Sequence, residues 1–70
     1  MAEGKANNDD EDEILLEFVT QGNVVRVTAI HAASGTEASI VGPASAPRAT
    51  LEAAASRKLA YVMGKEKGEG

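Results

Sequence analysis

The side chains whose types and spacing come nearest to an acid–base site lie around one histidine. The only histidine, His31, is followed by Ser34, and Glu13 is placed to lie across a strand from it. A catalytic centre needs a nucleophile, a base and an orienting acid held within hydrogen-bond reach of one another. Nothing in this spacing fixes such a geometry, so His31 is predicted to be a surface residue beside a turn. We predict no catalytic residues and a non-enzymatic protein.

Two other stretches could bind ions, and both lack essential features. The acidic run 9–13 offers hard oxygen ligands, but it has neither the alternate spacing nor the central glycine and distal glutamate of a calcium loop. Residues 42–45 precede a predicted helix and Arg48 follows them, which resembles an anion-binding position. The further glycines and the Lys-Ser/Thr pair of a phosphate loop are missing there. With no cysteine in the chain, we predict no metal site, no cofactor and no small-molecule ligand.

Charge and hydropathy restrict the classes of partner. The net charge is −4, and residues 1–13 contain six carboxylates against one lysine, which disfavours phosphate binding over the whole surface. Residues 1–12 are too polar to offset their ordering entropy by burial, so a disordered acidic tail is expected. No apolar run approaches the roughly 20 residues of a membrane span, and the start lacks the pattern of a signal peptide. A cytoplasmic location without membrane partners is therefore expected.

The chain is organised around the segment Val24–His31, which consists of strand-forming residues and has a turn signal at each end. Gly22-Asn23 is expected to form a two-residue hairpin loop to a first strand over 13–20. A four-residue loop with Gly35 in the left-handed conformation should lead to a third strand over 36–41. Both registers assign the same face of the central strand to the core, namely Val25, Val27 and Ala29. A shift by one residue would exchange the two faces.

A helix is predicted after the third strand. Ser45 is expected to cap it, Pro47 suits its first turn, and Gly64 should end it. Apolar residues recur at spacings of three and four along one stripe, which consists of Leu51, Ala55, Leu59, Val62 and Met63. The fold class is therefore α+β: a three-stranded antiparallel meander (β-β-β) with one C-terminal α-helix packed on one face. The single domain spans 13–64, and 65–70 is expected to be a disordered tail.

The other face of the same sheet is unusually apolar. The predicted registers place five apolar residues on it, namely Leu15, Val19, Val24, Ile30 and Val41. With no second helix to cover them, this outer face is a candidate interface, although scattered apolar residues on a surface are also common. The leading hypothesis is a protein-protein interaction module that self-associates through the outer sheet face. The alternative is a nucleic-acid-binding domain that uses Arg26 and the basic helix residues Arg57 and Lys58, which the net charge makes less favourable.

The segment Glu13–Ile30 resembles a small bacterial family of uncharacterised proteins. The stretches Ser34–Glu37 and Ile40–Ala44 resemble the same family, and the helix carries an Ala/Leu/Arg pattern like that of its members. The resemblance covers about 50 residues of the chain. It implies a domain of unknown function and brings no activity, cofactor or site residue with it.

Overall fold

The computed structural model describes residues 13–68, with side chains up to residue 65. Strands β1 (Ile14–Gln21), β2 (Val24–His31) and β3 (Glu37–Pro43) form one antiparallel sheet in the order β1-β2-β3, and helix α1 (Arg48–Gly68) follows. Helix α1 packs on one face of this sheet, so the predicted α+β fold is confirmed. The predicted tail 1–12 lies outside the described residues. Among the described residues, no helix combines the length and the apolar character that a membrane span requires.

The first hairpin has the register predicted from Gly22-Asn23. Gln21 pairs with Val24 across the two-residue loop. Gly22 has a φ of 63°, while Asn23 keeps a negative φ. A positive φ at the first loop position alone is typical of a type II′ turn, whose twist matches that of the flanking strands. Glycine is favoured at this position because it has no Cβ to clash with the backbone.

The second hairpin closes on a four-residue loop, also as predicted. The His31 N–H donates to the carbonyl of Thr36 at 2.8 Å, and the Gly35 N–H donates to the carbonyl of His31 at 2.7 Å. Gly35 has a φ of 79°, in the left-handed region that glycine occupies without strain. Ala29 is consequently paired with Ala38.

The core lies between α1 and the inner face of the sheet, with the parity that the sequence predicted. Val27 and Ala29 of β2 are completely buried, as is Ala55 of α1. The remaining buried residues are Val25, Ala38, Leu51 and Leu59. Phe18, Ile40, Val62 and Met63 pack against this cluster and are partly buried. Alanines at the centre of the contact let the helix approach the sheet closely.

Both predicted ends of the helix need correction. Ser45 does not cap it; the Pro47 carbonyl accepts hydrogen bonds from the N–H groups of Thr50 and Leu51, and α1 begins at Arg48. At the other end α1 continues through Gly64 to Gly68, so the predicted end at Gly64 is wrong. Gly64 does not have a positive φ, and the helix formers Lys65, Glu66 and Lys67 follow it. Residues 65–68, predicted as the start of a disordered tail, are therefore helical.

One large apolar residue of the inner face lies outside the core. Leu16 lies on the inner face, opposite Ala29, yet it is 36% exposed. Helix α1 packs mainly on β2 and β3, because a helix about 10 Å wide covers only about two strands spaced about 4.8 Å apart. The inner side of β1 is consequently left at the margin of the core.

Candidate interaction surface

The outer face of the sheet is a grid of four rows that run across the three strands. Each row contains one residue of β1, one of β2 and one of β3, joined by the observed register. From the β2–β3 loop towards the β1–β2 loop, the rows are Leu15-Ile30-Glu37, Glu17-Thr28-Ser39, Val19-Arg26-Val41 and Gln21-Val24-Pro43. All five residues predicted as an interface lie on this face.

The apolar members of this outer face are accessible. Leu15, Val19 and Val24 are each between 43% and 45% exposed, and Val41 is 65% exposed. Ile30 is only partly buried. Helix α1 lies on the opposite side of the sheet, so no helix within residues 13–68 covers these side chains. Large apolar side chains grouped on one uncovered face are typical of contact surfaces.

Charged and polar groups occupy the middle of the outer face. Arg26 stands in the third row between Val19 and Val41. Within residues 13–65 it forms no salt bridge, and neither does Glu17 in the neighbouring row. In the second row, the hydroxyl groups of Thr28 and Ser39 are hydrogen-bonded at 2.7 Å. Among the described residues, the outer face therefore presents one cation, Arg26, and two anions, Glu17 and Glu37, none of them in an ion pair. Glu17 lies in the row adjacent to Arg26, on the neighbouring strand.

The half of the outer face nearest the β1–β2 loop contains a surface depression, called the hollow below. A depression of about 300 Å³ is lined by residues of the third and fourth rows, namely Val19, Gln21, Val24, Arg26 and Val41. Its walls are mostly aliphatic, and the Arg26 guanidinium is the only charged group among its lining residues. An apolar hollow with a single charge suits an aliphatic side chain accompanied by a carboxylate.

A second apolar strip, along the inner side of β1, was not predicted. Ile14 and Leu16 are 39% and 36% exposed, beside the region that α1 covers. With Leu15 and Val19 on the outer face, β1 exposes apolar side chains on both sides. The strip could have been found by comparing the width of one helix with the width of three strands. Alternation along a strand shows which face a residue occupies, but not whether a helix covers that residue.

The start of the helix contains a smaller hollow, of about 150 Å³. Arg48, the residue considered for anion binding, stacks on the ring of Phe18 with its Cζ 4.1 Å from the centroid. Its Nε also donates to Glu52 Oε2 at 3.2 Å. The guanidinium thus already contacts an aromatic ring and a carboxylate of its own chain, so an external anion would bind there only weakly.

The basic residues of the nucleic-acid alternative do not form one surface. Arg26 projects from the outer face, whereas Arg57 and Lys58 belong to α1 on the inner side. The Lys58 ammonium donates to the carbonyl of Ser39 at 2.9 Å. One duplex could not contact Arg26 and the helix at the same time without bending around the sheet.

His31 and Ser34 do come together, at the end of β2. Ser34 Oγ lies 2.8 Å from His31 Nδ1, and the Ser34 N–H donates to the same nitrogen at 3.3 Å. Ser34 Oγ also lies within hydrogen-bond distance of Thr36 Oγ1, at 2.9 Å. These are local bonds between residues of one exposed hairpin loop, as is common for serine in turns. Among the described residues, no group of three or more His, Asp or Glu side chains is arranged to hold a metal ion.

The fold and this surface define a small β-β-β-α domain with one face of its sheet uncovered. The comparisons with curated proteins and with solved structures found no match. A family model, Domain of unknown function (DUF6898), matches residues 11–67, which is most of the chain. The protein belongs to this family. The predicted resemblance to an uncharacterised family is thereby confirmed, while its bacterial origin stays a prediction.

Proposed function

We propose that this protein is a non-enzymatic interaction module that self-associates through the outer face of its sheet. The observation that carries the proposal is the exposure of Leu15, Val19, Val24 and Val41 on a face opposite the helix. Burying these side chains against a partner removes apolar surface from water, which is the main driving force of protein association. Membership of the family assigns no activity to the protein, because the family is described as a domain of unknown function.

The size of this face supports a weak and reversible complex. Strands about 4.8 Å apart with a rise of about 3.3 Å per residue give a face of roughly 15 by 25 Å. A standard interface buries about 800 Å² of each partner, and smaller contacts are usually transient. We therefore expect association in the micromolar to millimolar range rather than an obligate dimer.

Sedimentation equilibrium of the full chain between about 10 μM and 1 mM tests the proposal. The apparent mass should rise with concentration, and Leu15→Lys or Val41→Lys should abolish the rise without lowering the melting temperature. Tyr61→Lys is a matched control because Tyr61 is as exposed as Val41 but lies on α1; it should associate like the native chain. A native protein that stays monomeric at the highest concentration contradicts the proposal.

Nucleic-acid binding through Arg26 and the basic helix remains the alternative. The positions of these basic residues and the net charge of the protein both argue against it. The two sets of residues lie on opposite sides of the sheet, and the net charge is −4. Titration with duplex DNA or RNA at low salt, followed by the amide signals of Arg26 and Arg57, separates the alternatives. Salt-dependent shifts at both residues would support it, and unchanged spectra would eliminate it. Cytoplasmic location and the absence of enzymatic activity also stay predictions.

A further inference from the structure

The geometry points to a specific two-fold dimer, and this inference rests on the self-association proposed above. Two copies pack outer face on outer face about an axis that runs across the strands between Arg26 and Thr28. Arg26 of each copy then pairs with Glu17 of the second copy. The end of the face that contains Leu15 and Ile30 covers the hollow of the second copy.

The choice of axis follows from the four rows of the outer face. Stacked sheets usually align their strands within about 30° and lie about 10 Å apart. In a two-fold dimer of this kind, the axis lies in the interface and runs either along the strands or across them. Among axes along the strands, only one that follows the central strand β2 lets all three strands overlap. That axis places Arg26 directly over Arg26 of the second copy, so that two buried cations face each other. An axis across the strands inverts the order of the rows and avoids this repulsion.

The position of the axis is fixed by the charges and by the overlap. An axis through the second row would place Glu17 over Glu17 of the second copy, and an axis through the third row would again oppose the two arginines. Between these rows, all four rows overlap, and the second row of one copy faces the third row of the other. Glu17 then lies over Val19 of the second copy, one strand away from its Arg26. Two reciprocal ion pairs form, from groups that have no ion-pair partner within their own described chain.

The same operation matches the shape of the outer face. The hollow occupies the third and fourth rows, and the inversion places the first and second rows of the second copy over it. Ile30 of the second copy faces Val24, which lines the hollow, and the polar Thr28–Ser39 pair faces Arg26 and Val41. Leu15 and Ile30 of the second copy therefore supply aliphatic side chains over the fourth row of the hollow. The Glu17 carboxylate reaches Arg26, the only charged residue among those that line it. Shape and charge select the same arrangement independently.

Charge reversal in the full chain tests the arrangement. Arg26→Glu and Glu17→Arg should each weaken self-association at least about tenfold, since two attractive contacts become repulsive in every dimer. The double variant should associate within about threefold of the native chain. An equimolar mixture of the two single variants should also associate, because both ion pairs are restored between unlike copies. Glu37→Arg is the matched control: Glu37 lies one row further than Glu17 from Arg26 of the second copy, so its reversal should weaken self-association less than either single reversal, and Arg26→Glu should not rescue it.

The outcomes separate this arrangement from the proposed function itself. If the native chain associates but the double variant and the mixture stay monomeric, the arrangement is wrong and self-association stands. If the double variant recovers while the mixture does not, Arg26 and Glu17 act within one chain and the arrangement is equally wrong. A monomeric native chain contradicts both proposals. Melting curves recorded for every variant show whether a loss of association comes from a loss of fold.

Discussion

Gly42 of β3 is in close contact with Leu51 of α1: a Cβ built on Gly42 would lie 2.8 Å from Leu51 Cδ2. Leu51 is buried and holds the first turns of the helix against the sheet. Any side chain at position 42 would therefore push against the helix where its packing begins. The missing Cβ of Gly42 is a requirement of this packing rather than of backbone conformation, since Gly42 does not have a positive φ.

The Gly42–Leu51 contact predicts that Gly42→Ala destabilises the domain by about 1 kcal/mol, at the low end of overpacking costs because the Leu51 side chain borders a hollow into which it can rotate. Urea denaturation measures the change in the free energy of unfolding. A double-mutant cycle with Leu51→Ala gives the control, since removal of Cδ2 should eliminate the penalty of Gly42→Ala. An unchanged penalty in that background would show that the strain arises elsewhere.

Two leucines on the inner face should respond very differently to the same truncation. Leu59 is 1% exposed, so Leu59→Ala should cost about 2–5 kcal/mol. Leu16 is 36% exposed, and Leu16→Ala should cost about 1 kcal/mol or less. Chemical denaturation of both variants checks the pair. Equal costs would mean that the inner side of β1 is covered after all, either by residues outside 13–68 or by a second copy.

Arg48 is expected to stabilise the domain by covering Phe18 rather than by pairing with Glu52. Its guanidinium is stacked 4.1 Å from the ring centroid, whereas its side chain and that of Glu52 are 72% and 39% exposed. Arg48→Ala should therefore cost about 0.5–1 kcal/mol, and Glu52→Ala less than about 0.5 kcal/mol. Thermal unfolding at low and high salt distinguishes the two contributions, because screening weakens only the ion pair appreciably. A larger loss for Glu52→Ala would reverse the assignment.

The sheet was predictable from sequence because its determinants are local. Gly22-Asn23 and Gly35 each set the loop length of a hairpin, and loop length sets the register of the strands on either side. The two registers then agree on one inner face of β2, and the observed burial of Val25, Val27 and Ala29 follows that parity. The same reasoning placed the candidate interface residues on the outer face.

Which part of the sheet the helix covers could not be predicted in this way. Alternation assigns Leu16 to the inner face, but whether a helix lies above it depends on where α1 crosses the sheet. That crossing is set by the contact of Leu51 with Gly42 and by the small residues Ala38 and Ala55, which are contacts between distant parts of the chain. The hollow on the outer face is likewise formed by side chains of all three strands together, which no periodic pattern in the sequence encodes.

The end of the helix was mispredicted because Gly64 resembles a C-cap, and this leads to a test. Gly64 lies inside α1 without a positive φ, and a Cβ added there would meet nothing within 4 Å. Gly64→Ala should therefore stabilise the helix by about 0.5–1 kcal/mol, since alanine loses less backbone entropy than glycine in a helix. Circular dichroism should show increased helicity, and hydrogen exchange should slow around residues 62–68. Gly35→Ala is the contrasting control, because the φ of 79° at Gly35 makes any side chain unfavourable there and stability should fall. If Gly64→Ala lowered stability as Gly35→Ala does, Gly64 would adopt the left-handed conformation of a C-cap, and the helix would end where the sequence pattern alone places its end.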